Sequence, residues 1–106
     1  MAVAYEALIE LERCRRGAGT FVDCGGRELA VFVPADSEEV VVGDNACPHA
    51  NGNLSGGELC GRIITCPWHD WRFDLATGVC TESPLARIRI YPSEVRDGMV
   101  WVDLGA

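Results

Sequence analysis

The chain has 106 residues, 48% of them hydrophobic, and its 16 acidic against 9 basic residues give a net charge of −7. That length allows one domain with one core, and that apolar fraction excludes a disordered chain. Nucleic acids and anionic membranes are excluded as expected partners, because binding either requires basic patches. We expect a monomer that binds proteins with a basic docking face.

The sequence shows neither the apolar run of a membrane-spanning helix nor the pattern of a signal peptide. The apolar runs, such as residues 29–33, are far shorter than a membrane span requires. The N-terminal residues carry no basic segment, and Glu6 and Glu10 interrupt them before a signal-peptide core could form. The expected location is therefore the cytoplasm.

Short strands separated by turns are predicted along the chain, since 12 glycines and 5 prolines are typical of an all-β domain. A short helix is predicted first, at residues 9–16. Strands follow at residues 20–24, 28–33, 39–43, 57–60, 62–66, 72–74, 86–91, 94–96 and 99–103. The run 86–91 alternates, with Ala86, Ile88 and Ile90 on one face. Asp97-Gly98 signals a tight hairpin between the last two strands.

Two short motifs break the strand rhythm and carry the chemistry. The first, C-P-H at residues 47–49, lies in a loop of about a dozen residues, a length that is often functional. The second, C-P-W-H at residues 66–69, follows sixteen residues later, and together the motifs contain both histidines of the chain. The candidate ligands are Cys47, His49, Cys66 and His69.

Two thiolates and two imidazoles suit a [2Fe–2S] cluster. Thiolates are soft, strongly donating ligands for ferric iron with bridging sulfide. Neutral imidazoles on the other iron remove two negative charges relative to an all-cysteine site, which raises the reduction potential. The same four residue types also suit a structural zinc ion. Their spacing is not a common zinc-finger spacing, so the cluster is the preferred interpretation.

The two motifs, with W-R-F-D-L-A-T-G at residues 71–78, resemble the cluster-binding signature of bacterial Rieske-type ferredoxins and related small subunits. The resemblance spans roughly residues 20–104 and includes Leu54, Gly57 and the proline-bearing segment at 83–84. It implies an antiparallel β-sandwich or incomplete barrel forming a single domain over residues 1–106. A small cluster-binding subdomain, at about residues 44–84, is also implied.

The resemblance implies roles for the ligands as well. Cys47 and Cys66 would hold the buried iron of one [2Fe–2S] cluster per chain. His49 and His69 would hold the outer iron, with their rings at the protein surface.

Several positions depart from the respiratory branch of that family. The two cysteines that form a disulfide there are replaced by Gly52 and Trp68, and the serine and tyrosine that donate hydrogen bonds to the cluster are replaced by Trp71 and Phe73. Fewer donors stabilise the reduced state less, so we predict a potential near about −150 mV. Asp70 stands where the family usually has glycine, and it either lowers the potential further or is a solvated loop residue.

The remaining cysteines are predicted to be unligated thiols, with Cys60 and Cys80 buried at strand ends near the cluster. The basic residues Arg13, Arg15 and Arg16 are interpreted as a solvated face rather than a contact patch.

The resemblance implies a one-electron carrier that is not itself an enzyme. It would pass electrons from a flavin-dependent reductase to a terminal oxygenase. The alternative is the small iron–sulfur subunit of an NAD(P)H nitrite reductase, whose motifs also run into W-R-F-D-L-x-T-G. A zinc-stabilised interaction module is the remote third possibility.

Overall fold

The computed structural model describes residues 5–36, 39–48, 52–67 and 70–105. His49, Trp68 and His69 lie outside these ranges. The first half of the described chain contains β1 (Glu6–Glu10), a 3₁₀ helix (Leu11–Arg13), β2 (Ala18–Cys24), β3 (Arg27–Val33), β4 (Val41–Asp44) and a second 3₁₀ helix (Leu54–Gly56). The second half contains β5 (Glu58–Cys60), β6 (Ile63–Thr65), β7 (Arg72–Asp74), β8 (Ile90–Tyr91), β9 (Ser93–Arg96) and β10 (Met99–Val102).

The strands form three antiparallel sheets, which confirms the predicted all-β antiparallel fold. Their orders are β1-β10-β9, β2-β3-β4-β8 and β5-β6-β7. No closed barrel forms among the described residues. Within the same ranges, no helix has the length and apolar character needed to cross a membrane.

Strand β3 lies at the centre of the molecule and is buried on both faces. Leu29, Val31 and Val33 pack into one core with side chains of β1 and β10. Ala30 and Phe32 point to the other face and pack into a second core that contains Cys47 and Cys66. Because successive side chains of a strand alternate between faces, this unbroken apolar run supplies both cores.

The N-terminal helix prediction is wrong. Residues 6–10 form β1, which pairs with β10 from Glu6 opposite Val102 to Glu10 opposite Met99. Only a single 3₁₀ turn follows, and Glu10 at its start makes no side-chain capping hydrogen bond. Leu8 and Ile9 pack against the core instead, so tertiary contacts override a marginal helical pattern.

The predicted strand at 86–91 is shorter than expected, although its alternation is correct. Ile88 is buried, but only Ile90 and Tyr91 belong to β8. Arg87 and Ile88 instead lie beside residues 78–79, and the Ile88 amide donates to the Gly78 carbonyl at 2.8 Å. The hairpin at Asp97-Gly98 is confirmed, with φ of 52° and 74° at the two turn residues.

Candidate metal centre

The two motifs lie in loops that leave neighbouring parts of the fold. The first loop connects β4 to β5, and the second connects β6 to β7. Cys47 and Cys66 are both 0% exposed and belong to the same buried cluster, so the fold brings the cysteines of the two motifs into one core. The histidines of both motifs are outside the described residues, and within those residues no three potential metal ligands cluster.

The first loop is organised around Asn45, whose side chain is fully buried. Its Oδ1 accepts the Ser55 amide at 3.0 Å, and its Nδ2 donates to Oδ1 of Asn53 at 2.9 Å. Its backbone carbonyl accepts the Leu54 amide at 2.8 Å, and the Cys47 amide donates to the Gly52 carbonyl at 2.9 Å. These bonds hold the segment around Cys47 against the second 3₁₀ helix.

The second loop is closed at its base by backbone hydrogen bonds. The Cys66 amide donates to the Trp71 carbonyl at 2.7 Å, and the Asp70 amide donates to the Cys66 carbonyl at 3.1 Å. Asp70 has φ of 56°, in the left-handed region that favours glycine but that Asp tolerates better than most residues. The backbone therefore explains why glycine suits this position, and Asp70 adds an exposed negative charge there.

Gly57 brings the two loops together. It follows the second 3₁₀ helix and precedes β5, which pairs with β6 through Glu58 opposite Thr65. A Cβ atom at Gly57 would lie 2.0 Å from the Thr65 carbonyl oxygen, a separation that no side chain can occupy. Leu54 is fully buried in the same core as both cysteines, so the residues that resemble the family's first loop have packing roles.

A third segment, residues 80–86, packs beside the second loop. The Thr81 amide donates to the Arg72 carbonyl at 2.8 Å, and the Cys80 amide donates to the Ala86 carbonyl at 2.9 Å. The Glu82 carboxylate accepts the backbone amide of Arg72 and also pairs with its guanidinium, and these contacts lower the pKa of Glu82 to about 2. Glu82 is therefore ionised throughout the physiological range.

The cysteines fit a metal centre at the two motifs. All six cysteines lie in the described part of the chain, and the structure places none of them in a disulfide. Buried thiols at Cys47 and Cys66, each at the start of a hydrogen-bonded loop, would supply two of the four ligands that a [2Fe–2S] cluster or a structural zinc ion requires. Cys80 is buried as predicted, whereas Cys60 is exposed because it ends β5 at a surface turn.

Two residues that position the loops were not predicted from the sequence. Asn45 is the first, and its only sequence signal is an amide residue directly after a buried strand. Arg15 is the second, because its Nε donates to the Gly19 carbonyl at 3.0 Å and its Nη2 to the Ser55 carbonyl at 2.9 Å. Arg15 is exposed, as the solvated-face interpretation expects, but its guanidinium also ties the N-terminal segment to the first loop.

Antiparallel sheets with two cysteine-bearing loops in a shared core define a class of small metal-binding β-proteins. The family model for the Rieske [2Fe-2S] domain matches residues 5–92. The chain belongs to the Rieske [2Fe–2S] domain family, which implies one [2Fe–2S] cluster as cofactor. Its family and fold fit the role of an electron carrier.

Relatives and solved structures agree with this family. The ferredoxin component of the naphthalene 1,2-dioxygenase system of Pseudomonas putida is 33% identical over 98% of this chain and 99% of its own length. The ferredoxin of Sphingomonas yanoikuyae B1 has a TM-score of 0.83 at 34% identity, covering 94% of this chain and 98% of that one.

Two further comparisons are with a reductase subunit and with a much longer enzyme. A structure from Mycobacterium tuberculosis, given as an NADH-dependent nitrite reductase small subunit, has a TM-score of 0.88 at 22% identity. It covers 100% of this chain and 99% of its own, and at that identity it shows the fold alone. The chain spans only 20% of the length of the cholesterol 7-desaturase of Xenopus laevis, with which it shares 39% identity over 94 residues.

Proposed function

We propose that Cys47, His49, Cys66 and His69 hold the [2Fe–2S] cluster, and that the chain carries single electrons to an oxygenase. The observation that carries this proposal is the burial of Cys47 and Cys66 in one core, at the start of two loops that each contain a histidine. The bound cluster would supply one-electron transfer at a potential above that of all-cysteine clusters, near about −150 mV.

The protein's own contribution is positional. Asn45 and the backbone bonds of Cys47 and Cys66 hold the two loops, so the chain itself fixes the backbone at both cysteines. The same core excludes water from the two thiols. On this arrangement the histidine rings would be the site of electron entry and exit.

The proposed partners are a flavin-dependent reductase as donor and a terminal oxygenase as acceptor. This proposal rests on the similarity to ferredoxin components of dioxygenase systems, which extends over nearly the whole of both chains. We also propose that the protein is a monomer and that it is located in the cytoplasm. An acidic surface on a small carrier suits transient docking on a basic face.

The second candidate is a fixed small subunit of a nitrite reductase. It rests on the motif at residues 71–78, which resembles that of such subunits, because the structural match at 22% identity shows the fold alone. Size-exclusion chromatography of the native protein from its own cells separates the two candidates. A carrier elutes alone, whereas a fixed subunit elutes with its large partner.

The first test is electron paramagnetic resonance of the anaerobically purified protein after dithionite reduction. We expect a rhombic signal with an average g value below that of all-cysteine clusters, as mixed histidine and cysteine ligation requires. Replacing Cys66 by Ser is expected to abolish the signal, whereas Cys60→Ser, which changes an exposed thiol, keeps it. A colourless protein with one zinc ion per chain would overturn the proposal.

A further inference from the structure

The Glu82 carboxylate, in the third segment, accepts several hydrogen bonds from Arg72 and Thr81. Its Oε1 accepts the backbone amide of Arg72 at 2.8 Å and the Thr81 hydroxyl at 2.9 Å. Its Oε2 accepts Nε of Arg72 at 2.8 Å and pairs with Nη2 of the same residue. One carboxylate therefore binds both the side chain and the backbone of Arg72.

Arg72 is the residue at which the second loop ends. It is the first residue of β7 and follows Trp71, whose carbonyl accepts the Cys66 amide. The Arg72 carbonyl accepts the Thr81 amide, so Arg72 contacts residues 81 and 82 through its amide, its carbonyl and its guanidinium. Whatever holds Arg72 also holds the downstream end of the loop that begins at Cys66.

We propose that Glu82 is a positioning residue for the cluster, acting through Arg72 to hold the end of the second ligand loop. The inference rests on the proposed ligand set, because the second loop matters to the cluster only if Cys66 and His69 bind it. Glu82 makes no hydrogen bond to Cys47 or Cys66, the two proposed ligands in the described part of the chain, and its effect travels through the backbone amide and the guanidinium of Arg72.

The geometry distinguishes this contact from an ordinary surface ion pair. Exposed ion pairs alone contribute little, since water screens them and the side chains lose entropy. The Glu82 carboxylate also fixes the main chain, because its second oxygen accepts the backbone amide of Arg72, and hydrogen bonds to a charged group are stronger than neutral ones. The Glu82 side chain is 31% exposed, against 75% for Glu39 in the otherwise similar pair with Arg62.

That second pair provides a matched control. Glu39 and Arg62 also approach to 2.5 Å through Oε2 and Nη2, and Arg62 lies between β5 and β6 of the same sheet. The test compares Glu82→Ala and Glu82→Gln with Glu39→Ala and Glu39→Gln in the cluster-loaded protein. Three measurements apply to each variant. They are the rate of cluster loss from the visible spectrum, hydrogen exchange of peptides containing Arg72, and the g values of the reduced cluster.

We expect Glu82→Ala to lose the cluster about tenfold faster than the wild type, the effect of one lost charge-assisted hydrogen bond. Exchange at Arg72 should accelerate similarly, and the g values should shift. Glu82→Gln should lose the cluster at a rate between those of the wild type and Glu82→Ala, because its amide oxygen still accepts the Arg72 amide and the Thr81 hydroxyl. Both Glu39 variants should match the wild type.

Equal behaviour of Glu82→Ala and Glu39→Ala would overturn the inference. It would also be overturned if Glu82→Gln were as severe as Glu82→Ala, since charge rather than position would then matter. If Glu82→Ala does not fold, Glu82→Gln against Glu39→Gln decides by the same measurements. A wild type without the rhombic signal would instead mean that the proposed function has failed.

Discussion

Asn45 shows how a single buried amide can organise a ligand loop. Its backbone amide and carbonyl and both atoms of its side-chain amide all have hydrogen-bond partners, although the side chain is 0% exposed. A buried polar group is stabilising only when it is satisfied in this way. Removing it would leave the buried Ser55 amide without its acceptor.

Replacing Asn45 by Ala should lower the free energy of unfolding by about 2 kcal/mol, because a buried donor loses its partner. Chemical denaturation of the loaded protein measures the change. Asn53→Asp is the control, because Asn53 is exposed and a carboxylate oxygen at this position still accepts the side-chain amide of Asn45, so its cost should be about 1 kcal/mol or less. Equal costs for the two variants would contradict the role assigned to Asn45.

The residues of the site were predictable to different degrees. The cysteines were identified because their motifs have a distinctive spacing, and the structure buries both of them. The assignment of His49 and His69 as ligands stays a prediction. Asn45 was missed because an asparagine in a glycine-rich stretch is typical of any turn, and its partners lie eight and ten residues away.

At the scale of elements, the two ligand loops depend on how closely their flanking strands approach. Gly57 lies where the first loop meets β5, and its Cα faces the Thr65 carbonyl just before Cys66. A backbone oxygen cannot move aside as a flexible side chain can. The absence of a side chain at Gly57 is therefore a requirement of the packing between the loops.

Gly57→Ala should destabilise the protein by about 3 kcal/mol or more, since the new methyl group forces backbone to shift. Gly56→Ala is a close control, because a Cβ at Gly56 meets nothing within 4 Å. Thermal unfolding and cluster content after purification measure both variants. Similar melting temperatures for the two would show that the strands do not need this close approach.

The sequence predicted most strands and missed those whose pattern depends on distant partners. Arg72–Asp74 was predicted with its observed bounds, and the Asp97-Gly98 turn was predicted from its residue types. Strand β1 was not predicted, because E-A-L-I-E has no strand alternation of its own, and the helix predicted at residues 9–16 overlaps its last two residues. The pairing of β1 with β10 joins residues that are 89 to 96 positions apart, from Glu10 opposite Met99 to Glu6 opposite Val102, which no local pattern indicates.

The whole molecule carries a net charge of −7, and this charge should govern how it meets its partners. Raising the salt from about 10 to about 500 mM should slow electron transfer to a dioxygenase-system oxygenase several-fold, because screening weakens long-range attraction. Stopped-flow reduction of the oxygenase measures the rate.

Two variants that each neutralise one carboxylate show which negative charges cause the salt dependence of electron transfer. Asp70→Asn should reduce the salt dependence, because Asp70 is exposed and adjacent to the proposed ligand His69. Glu12→Gln is the control, since the 3₁₀ helix that contains it contributes Leu11 to the other core. An unchanged or rising rate at high salt would contradict an acidic docking surface.

The overall architecture was predicted as an antiparallel β-sandwich or incomplete barrel, and the structure contains three sheets. Two cores, on opposite faces of β3, were not predicted because an uninterrupted apolar strand does not indicate what covers each face. The prediction that residues 44–84 form a separate cluster-binding subdomain stays a prediction. Several of those residues share a core with Ala30 and Phe32 of β3.

The position of β3 between two cores has a consequence for cooperativity. Detaching the ligand loops would expose Ala30 and Phe32, and detaching β1 and β10 would expose Leu29, Val31 and Val33. Neither layer can melt without uncovering part of the same strand, so neither has a stable state of its own. A chain of three small sheets should therefore unfold in one all-or-none transition.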